Sequence, residues 1–214
     1  MSKIFKKIIG VILSAVMIFS VPMTTYAASQ TNDNIEESIM ELEKYLSLTE
    51  EGTIFFDTNE ALKDGFSEEI VMAVEKNIAN MNKLALEGLA QIDNSFTATI
   101  YFPSTRANGE SKIITHWYGT TEIYLNSDEA DAFVNTMRVQ AGVISDISTF
   151  LTILHEVNPN HATAVASVVG SAFWLQAVLN LDYFQKIASS NRGIVIYITN
   201  LPADNVCTMS AFSQ

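Results

Sequence analysis

Phe96-Thr97-Ala98-Thr99-Ile100-Tyr101-Phe102, Lys112-Ile113-Ile114-Thr115-His116-Trp117-Tyr118 and Thr121-Glu122-Ile123-Tyr124-Leu125 are three runs, close together in the chain, whose apolar and polar side chains alternate. A period of two places successive side chains on opposite faces of an extended chain, so each run predicts a strand with one face buried. The residue types agree, since β-branched and aromatic side chains suit a pleated surface. Pro103 to Glu110 reads as the first connection, with Asn108-Gly109 as its turn, and Gly119-Thr120 as the second. Connections this short can only join antiparallel neighbours, so residues 96–126 predict a three-strand meander. It ends at Asn126-Ser127-Asp128, a helix N-cap.

Beyond the cap the period becomes helical. Ala130, Phe133, Val134, Met137, Ala141, Ile144, Phe150 and Leu151 form one stripe, predicting a helix from Asp128 to about Leu154. Asn158 and Pro159 have the cap and first-turn residue types of a second helix running to about Ser189, which a break near Asn180 would divide. Gly193 leads into Ile194-Val195-Ile196-Tyr197-Ile198, the most strand-like run, expected beside the meander. Residues 201–214 show no pattern and are expected to be an irregular tail, apart from the burial of Met209 and Phe212.

On the other side of the meander the sequence is acidic and helical. Ile35, Ile39, Leu42 and Leu46 predict an amphipathic helix over residues 34–46, and Thr53–Phe56 a short extended piece. Asp57 with Glu60 resembles a capping box, and Gly65 suits the end of that helix. Ser67 caps a helix of about 23 residues with Ile70, Val74, Ile78, Met81, Ala85 and Leu89 inward. The expected fold is α+β: a small antiparallel sheet, the meander plus a C-terminal strand, with N-terminal helices and a C-terminal helical hairpin. The expected regions are a signal peptide at 1–27, an acidic helical region at 28–93, the meander, hairpin and final strand at 94–200, and the tail.

The first residues carry an address. Lys3, Lys6 and Lys7 precede the uncharged run Ile8–Val21, Pro22 interrupts it, and Thr25-Tyr26-Ala27 offers small residues to a signal peptidase. The run is 14 residues, short of the ~20 that span a bilayer. A Sec-type signal cleaved after Ala27 and an extracellular destination are expected, with neither lipobox cysteine nor sortase motif. The chain has a net charge of −12. After cleavage nine bases face 24 acids, a net of −15. That sign excludes nucleic acid as a partner and opposes electrostatic attraction to anionic lipid or wall polymers. The lone Cys207 cannot form an internal disulfide, so stability is expected to come from packing.

Three features bear on function. Ala162 to Leu179 is 18 residues without a charge, long enough to raise insertion of a 128–189 hairpin into a membrane. Against that stand Asp146, Thr163 and Gln176, which a buried hairpin tolerates better than a bilayer does. In the meander, alternation puts His116 and Tyr118 on one face and Trp117 on the other, with Tyr124 on the next strand. His116, Tyr118 and Tyr124 are therefore the candidate binding surface. His155, Glu156 and His161 lack the i, i+4 spacing of a zinc helix and read as solvated loop residues, so neither metal nor cofactor is expected. No G-x-S-x-G, S-x-x-K, phosphate loop or calcium loop is present, so no catalytic residue is assigned.

The segment from Lys112 to Leu125, followed by a capped helix, resembles a group of small exported proteins of Gram-positive bacteria, some of them bacteriocin-like. They carry a W-[WY]-G-x-x-aliphatic-Y-L signature, two Ala/Gly-rich helices and a short Gly-Ile/Val strand. Here three residues separate Gly119 from Ile123 where the signature has two. The resemblance implies a Gram-positive source and an antagonistic role, and it supplies no catalytic residue. The functional expectation is a secreted, non-enzymatic protein acting through an extracellular binding or antagonistic surface on a protein or envelope component. The alternatives are a membrane-active, bacteriocin-like protein inserting residues 128–189, and an extracellular hydrolase.

Overall fold

The computed structural model describes residues 38–103, 107–140, 143–169, 174–201 and 206–214. The expected signal segment lies outside them. The chain divides into two units at Lys44. Of the first, residues 38–44 are described: a helical turn tightens into a 3-10 turn at Glu41–Tyr45, with Ile39 and Leu42 buried. The expected helix over 34–46 therefore does not reach Leu46. That residue opens a strand, Leu46–Leu48 (β1), paired antiparallel with Ile54–Phe56 (β2). Asn82 clamps β2 from outside the pair, its side chain accepting from the Ile54 N–H at 2.7 Å and donating to the Ile54 carbonyl at 2.8 Å.

The second unit, Tyr45–Gln214, spans the boundary expected at Asp93. Thr58–Lys63 (α1) begins at Asp57, whose carboxylate accepts from the Glu60 N–H at 3.0 Å. Glu68–Leu86 (α2) begins at Ser67 in the same manner. Its buried stripe runs through Val71, Val74, Ile78, Met81 and Leu84, slightly rotated from the expected one, and Leu89 lies past its end. The meander forms as expected, extended by a two-residue strand. Its members are Gln91–Ile92 (β3), Thr97–Tyr101 (β4), Lys112–His116 (β5) and Thr120–Leu125 (β6). β5 stops at His116 because Trp117-Tyr118-Gly119 make the turn, Gly119 having φ +95°.

The C-terminal half departs from the expected hairpin. The single helix predicted to Leu154 is two, Ser127–Gln140 (α3) and Ile147–Val157 (α4), with a strand, Val143–Asp146 (β7), between them. Gly142 weakens a helix, Val143 and Ile144 favour a strand, and Asp146 starts α4 by accepting from the Thr149 N–H at 2.7 Å. The second predicted helix is Pro159–Val169 (α5), then a strand, Trp174–Asn180 (β8), then Leu181–Ala188 (α6) capped by Asn180. The uncharged stretch at 162–179 is thus divided between a helix and a strand. No helix among the described residues is long and apolar enough to cross a membrane.

The expected irregular tail is a strand as well. Val206–Ser213 (β10) pairs antiparallel along its whole length with Ile194–Leu201 (β9), which pairs in turn with β6. The sheet has eight strands rather than four, in the order β3-β4-β5-β6-β9-β10-β8-β7, antiparallel except where β10 meets β8. Gln214 fastens the end by donating to the Leu125 carbonyl at 2.8 Å and accepting from the Glu110 N–H at 2.7 Å. Gly193, at φ +93°, lets the chain pass so close to the Leu125 carbonyl that a Cβ there would collide with it.

One face of the sheet, carrying Ile100, Ile113, Ile123, Leu125, Ile196, Ile198 and Met209, is buried. The helices cover it with Phe133, Met137, Phe150, Ile153, Val165 and Phe184, all buried. The Phe133 ring lies 5.9 Å from Phe150 and 5.1 Å from Phe184, tilted against both. Asp146 distinguishes this architecture from one long helix. As a cap, Asp146→Ala will lower stability by roughly 1 kcal/mol in chemical denaturation. In the middle of a continuous helix the same change would raise it.

Candidate functional site

Strand pairing lines up the other face of the sheet in ranks. Tyr101 pairs with Lys112, Lys112 with Tyr124, Tyr124 with Val195 and Val195 with Phe212, placing the five side chains in one row across five strands. At ~4.8 Å per strand the row runs about 19 Å. Its ends are open to solvent, Tyr101 being 69% and Phe212 54% exposed. The adjoining rank holds Ile114, Glu122 and Tyr197. The next holds Thr97 with His116, and Thr120 with Thr199.

Within these ranks the expected site residues are connected. His116 and Glu122 are diagonal neighbours on adjacent strands, with Nε2 of the imidazole 2.8 Å from Glu122 Oε1. Tyr124 donates its hydroxyl to the other carboxylate oxygen at 2.7 Å. The Thr97 hydroxyl lies 3.4 Å from His116 Nδ1, so an imidazole donating from Nε2 can accept there. Tyr118 stacks on the imidazole at 4.9 Å between ring centres, and Lys112 Nζ sits 4.6 Å over the Tyr124 ring. Lys112 also pairs with Glu110 at 2.6 Å. Burial, followed by the Glu122 carboxylate, raises the Tyr124 phenol above its ordinary value, so Tyr124 remains a donor at any physiological pH.

His116, Tyr118 and Tyr124 thus belong to one cluster, with Trp117 buried behind it. Sequence reasoning missed Glu122 and Tyr197, and it expected Phe212 to be buried with Met209, whereas Phe212 is exposed. Phe212 could be placed on this face only once β10 was known as a strand. Its ring meets Tyr197 edge-on at 5.8 Å.

A second polar cluster lies on the helix side around His161, which was expected in solvent; His155 is exposed as expected. His161 is in the first turn of α5 and fully buried, its ring 4.1 Å from that of Phe102. Its Nε2 lies 3.4 Å from Ser111 Oγ, and its Nδ1, 3.6 Å from Glu129 Oε1, makes no hydrogen bond. Glu129 gathers three elements: it accepts from Ser111 Oγ at 3.1 Å, from Asn158 Nδ2 at 2.9 Å and from the Asn126 N–H at 3.1 Å. Asn126 reciprocates through the Asp128 and Glu129 N–H groups, completing a capping box at the start of α3. Ser111 is itself buried. The cluster ties β5 to α3 and α5.

No protein-family model matches the chain, and no curated protein or solved structure matches it.

The His161 environment sets a pH dependence. Burial lowers its pKa and Glu129 opposes that only in part, so the folded protein holds the imidazole neutral. The unfolded chain takes up a proton near pH 6.5, which the folded state resists, so stability is lost as pH falls below that value. Denaturation midpoints measured between pH 7.5 and 5 will show this loss in the wild type. His161→Leu will fall less steeply over the same interval.

Proposed function

We propose that the protein is an exported, non-enzymatic binding protein that contacts an extracellular protein or an envelope component through the outer face of its sheet. The observation that carries this reading is the row from Tyr101 to Phe212, aromatic at both ends and in the middle. Aromatic rings supply large, rigid contact area, and the Glu122 network holds His116 and Tyr124 in place before a partner arrives. A row of about 19 Å suits an extended chain, sugar or peptide, lying across the strands. Export is supported by the lysine-led apolar run and the Thr25-Tyr26-Ala27 end of the leader. The acidic net charge favours recognition by stacking and hydrogen bonds over attraction to anionic polymers.

Co-sedimentation with isolated Gram-positive cell walls, before and after protease stripping, tests the reading. The wild-type protein will pellet with the walls. Retention after stripping will identify a wall polymer as the partner, and loss on stripping a wall-bound protein. Tyr101→Ala, Tyr124→Ala and Phe212→Ala combined will reduce the pelleted fraction several-fold while the circular dichroism spectrum is kept. Equal pelleting of this variant, or none by the wild type, would overturn the proposal.

A further inference from the structure

A cavity of about 380 Å³ opens on the helix side of the sheet, where the end of α2 approaches β4 and α5. Its apolar walls include Leu84, Ile100, Phe102 and Ala164, of which Leu84 and Ile100 are almost wholly buried. Leu89, 57% exposed, stands at the rim with Tyr101. No charged residue lines it. The hydroxyls of Thr163 and Ser167 reach it from α5, but each proton is already donated to a carbonyl one turn back, at 2.9 Å. Both oxygens therefore face a ligand only as acceptors. Asn160 brings a side-chain amide that has no partner among the described residues.

These features define a ligand. The volume falls within the roughly 300–1,000 Å³ of small-molecule sites. With no cation in the lining, an anion would lose its water without compensation, and with no carboxylate a cation would do the same. Hydroxyl oxygens that can only accept call for a donor on the ligand.

We propose that this cavity binds a small neutral molecule, mostly apolar, that carries a hydrogen-bond donor. Its apolar part lies against Leu84, Ile100 and Phe102, and its donor meets Thr163, Ser167 or Asn160. The site opens on the helix side and shares only Tyr101 with the row on the outer face, and its test does not depend on wall binding.

The full-length protein is titrated with the neutral fluorophore N-phenyl-naphthylamine, which is then displaced with monocaprin, a neutral acyl glycerol with free hydroxyls. Decanoate and decylamine serve as charged counterparts of similar length. Saturable binding is expected, with monocaprin displacing at least tenfold more tightly than either charged compound. Ser167→Phe fills the cavity from an exposed helix position, and Leu89→Asp charges its mouth. Each will raise the dissociation constant tenfold or more with an unchanged circular dichroism spectrum. Leu62→Asp removes an exposed leucine outside the lining and will leave binding as it was. The proposal is overturned by absent or unsaturable binding, by equal affinity for the charged compounds, or by full affinity in both cavity variants.

Discussion

The pairing of β6 with β9 is the contact on which the rest of the fold depends. Thr120–Leu125 meets Ile194–Thr199 residue for residue, joining segments separated by all of α3 to α6. Closing so long a loop costs chain entropy that the contact must offset. The register does so by burying Ile123, Leu125, Ile194, Ile196 and Ile198 on one face. A slip of one residue would turn those side chains to the other face, so the hydrophobic pattern fixes the register. Once β9 is in place, β10 can pair along it, and Gln214 reaches back to the Leu125 and Ile194 carbonyls.

The same register divides the chemistry. The alternation that buries isoleucines on the helix side sets Lys112, His116, Glu122, Tyr124 and Tyr197 on the other. These ranks are assembled from residues up to about a hundred positions apart in sequence. The outer face is built by pairing, whereas the Glu129 cluster is built by capping: one carboxylate closes the box at the start of α3 and holds Ser111 and Asn158. His161 accompanies that arrangement as a buried base kept neutral. Its one unpaired nitrogen is a local cost in a cluster that otherwise satisfies its polar groups.

The meander, the caps at Asp57, Ser67 and Asn126, and the strand after Gly193 could be read directly, because each rests on local periodicity or local side-chain chemistry. The strands β7, β8 and β10 could not. Ile144 fits a helical stripe as well as a strand, and it took the cap at Asp146 to separate them. Residues 174–180 follow an uncharged helix with no charge of their own, so their period carried no contrast. In β10 the alternation of buried Met209 and Ala211 with exposed Ser210 and Phe212 is present but faint, because small side chains mark it. Of the site, His116 and Tyr118 were expected together, but the alternation behind that stops at His116, and it is the turn that stacks Tyr118 on the imidazole. The link through Glu122 was not legible, since it depends on a diagonal between strands, and the histidine expected in solvent became the most buried one because helix α5 turns it inward.

These differences have a common physical source. Alternation and caps report on single elements, while the identity of a central strand depends on which neighbours supply its hydrogen bonds. β10 has ordinary propensity but pairs along its whole length with β9 and, at Val206 and Cys207, with β8. An isolated segment of that composition would gain little from extending. Placed beside β9, it buries Met209 and Ala211 and carries Phe212 to the end of the aromatic row. The element least evident in the sequence therefore completes the surface that the meander begins. The recognition proposed for that face therefore requires the C-terminal strand to be paired.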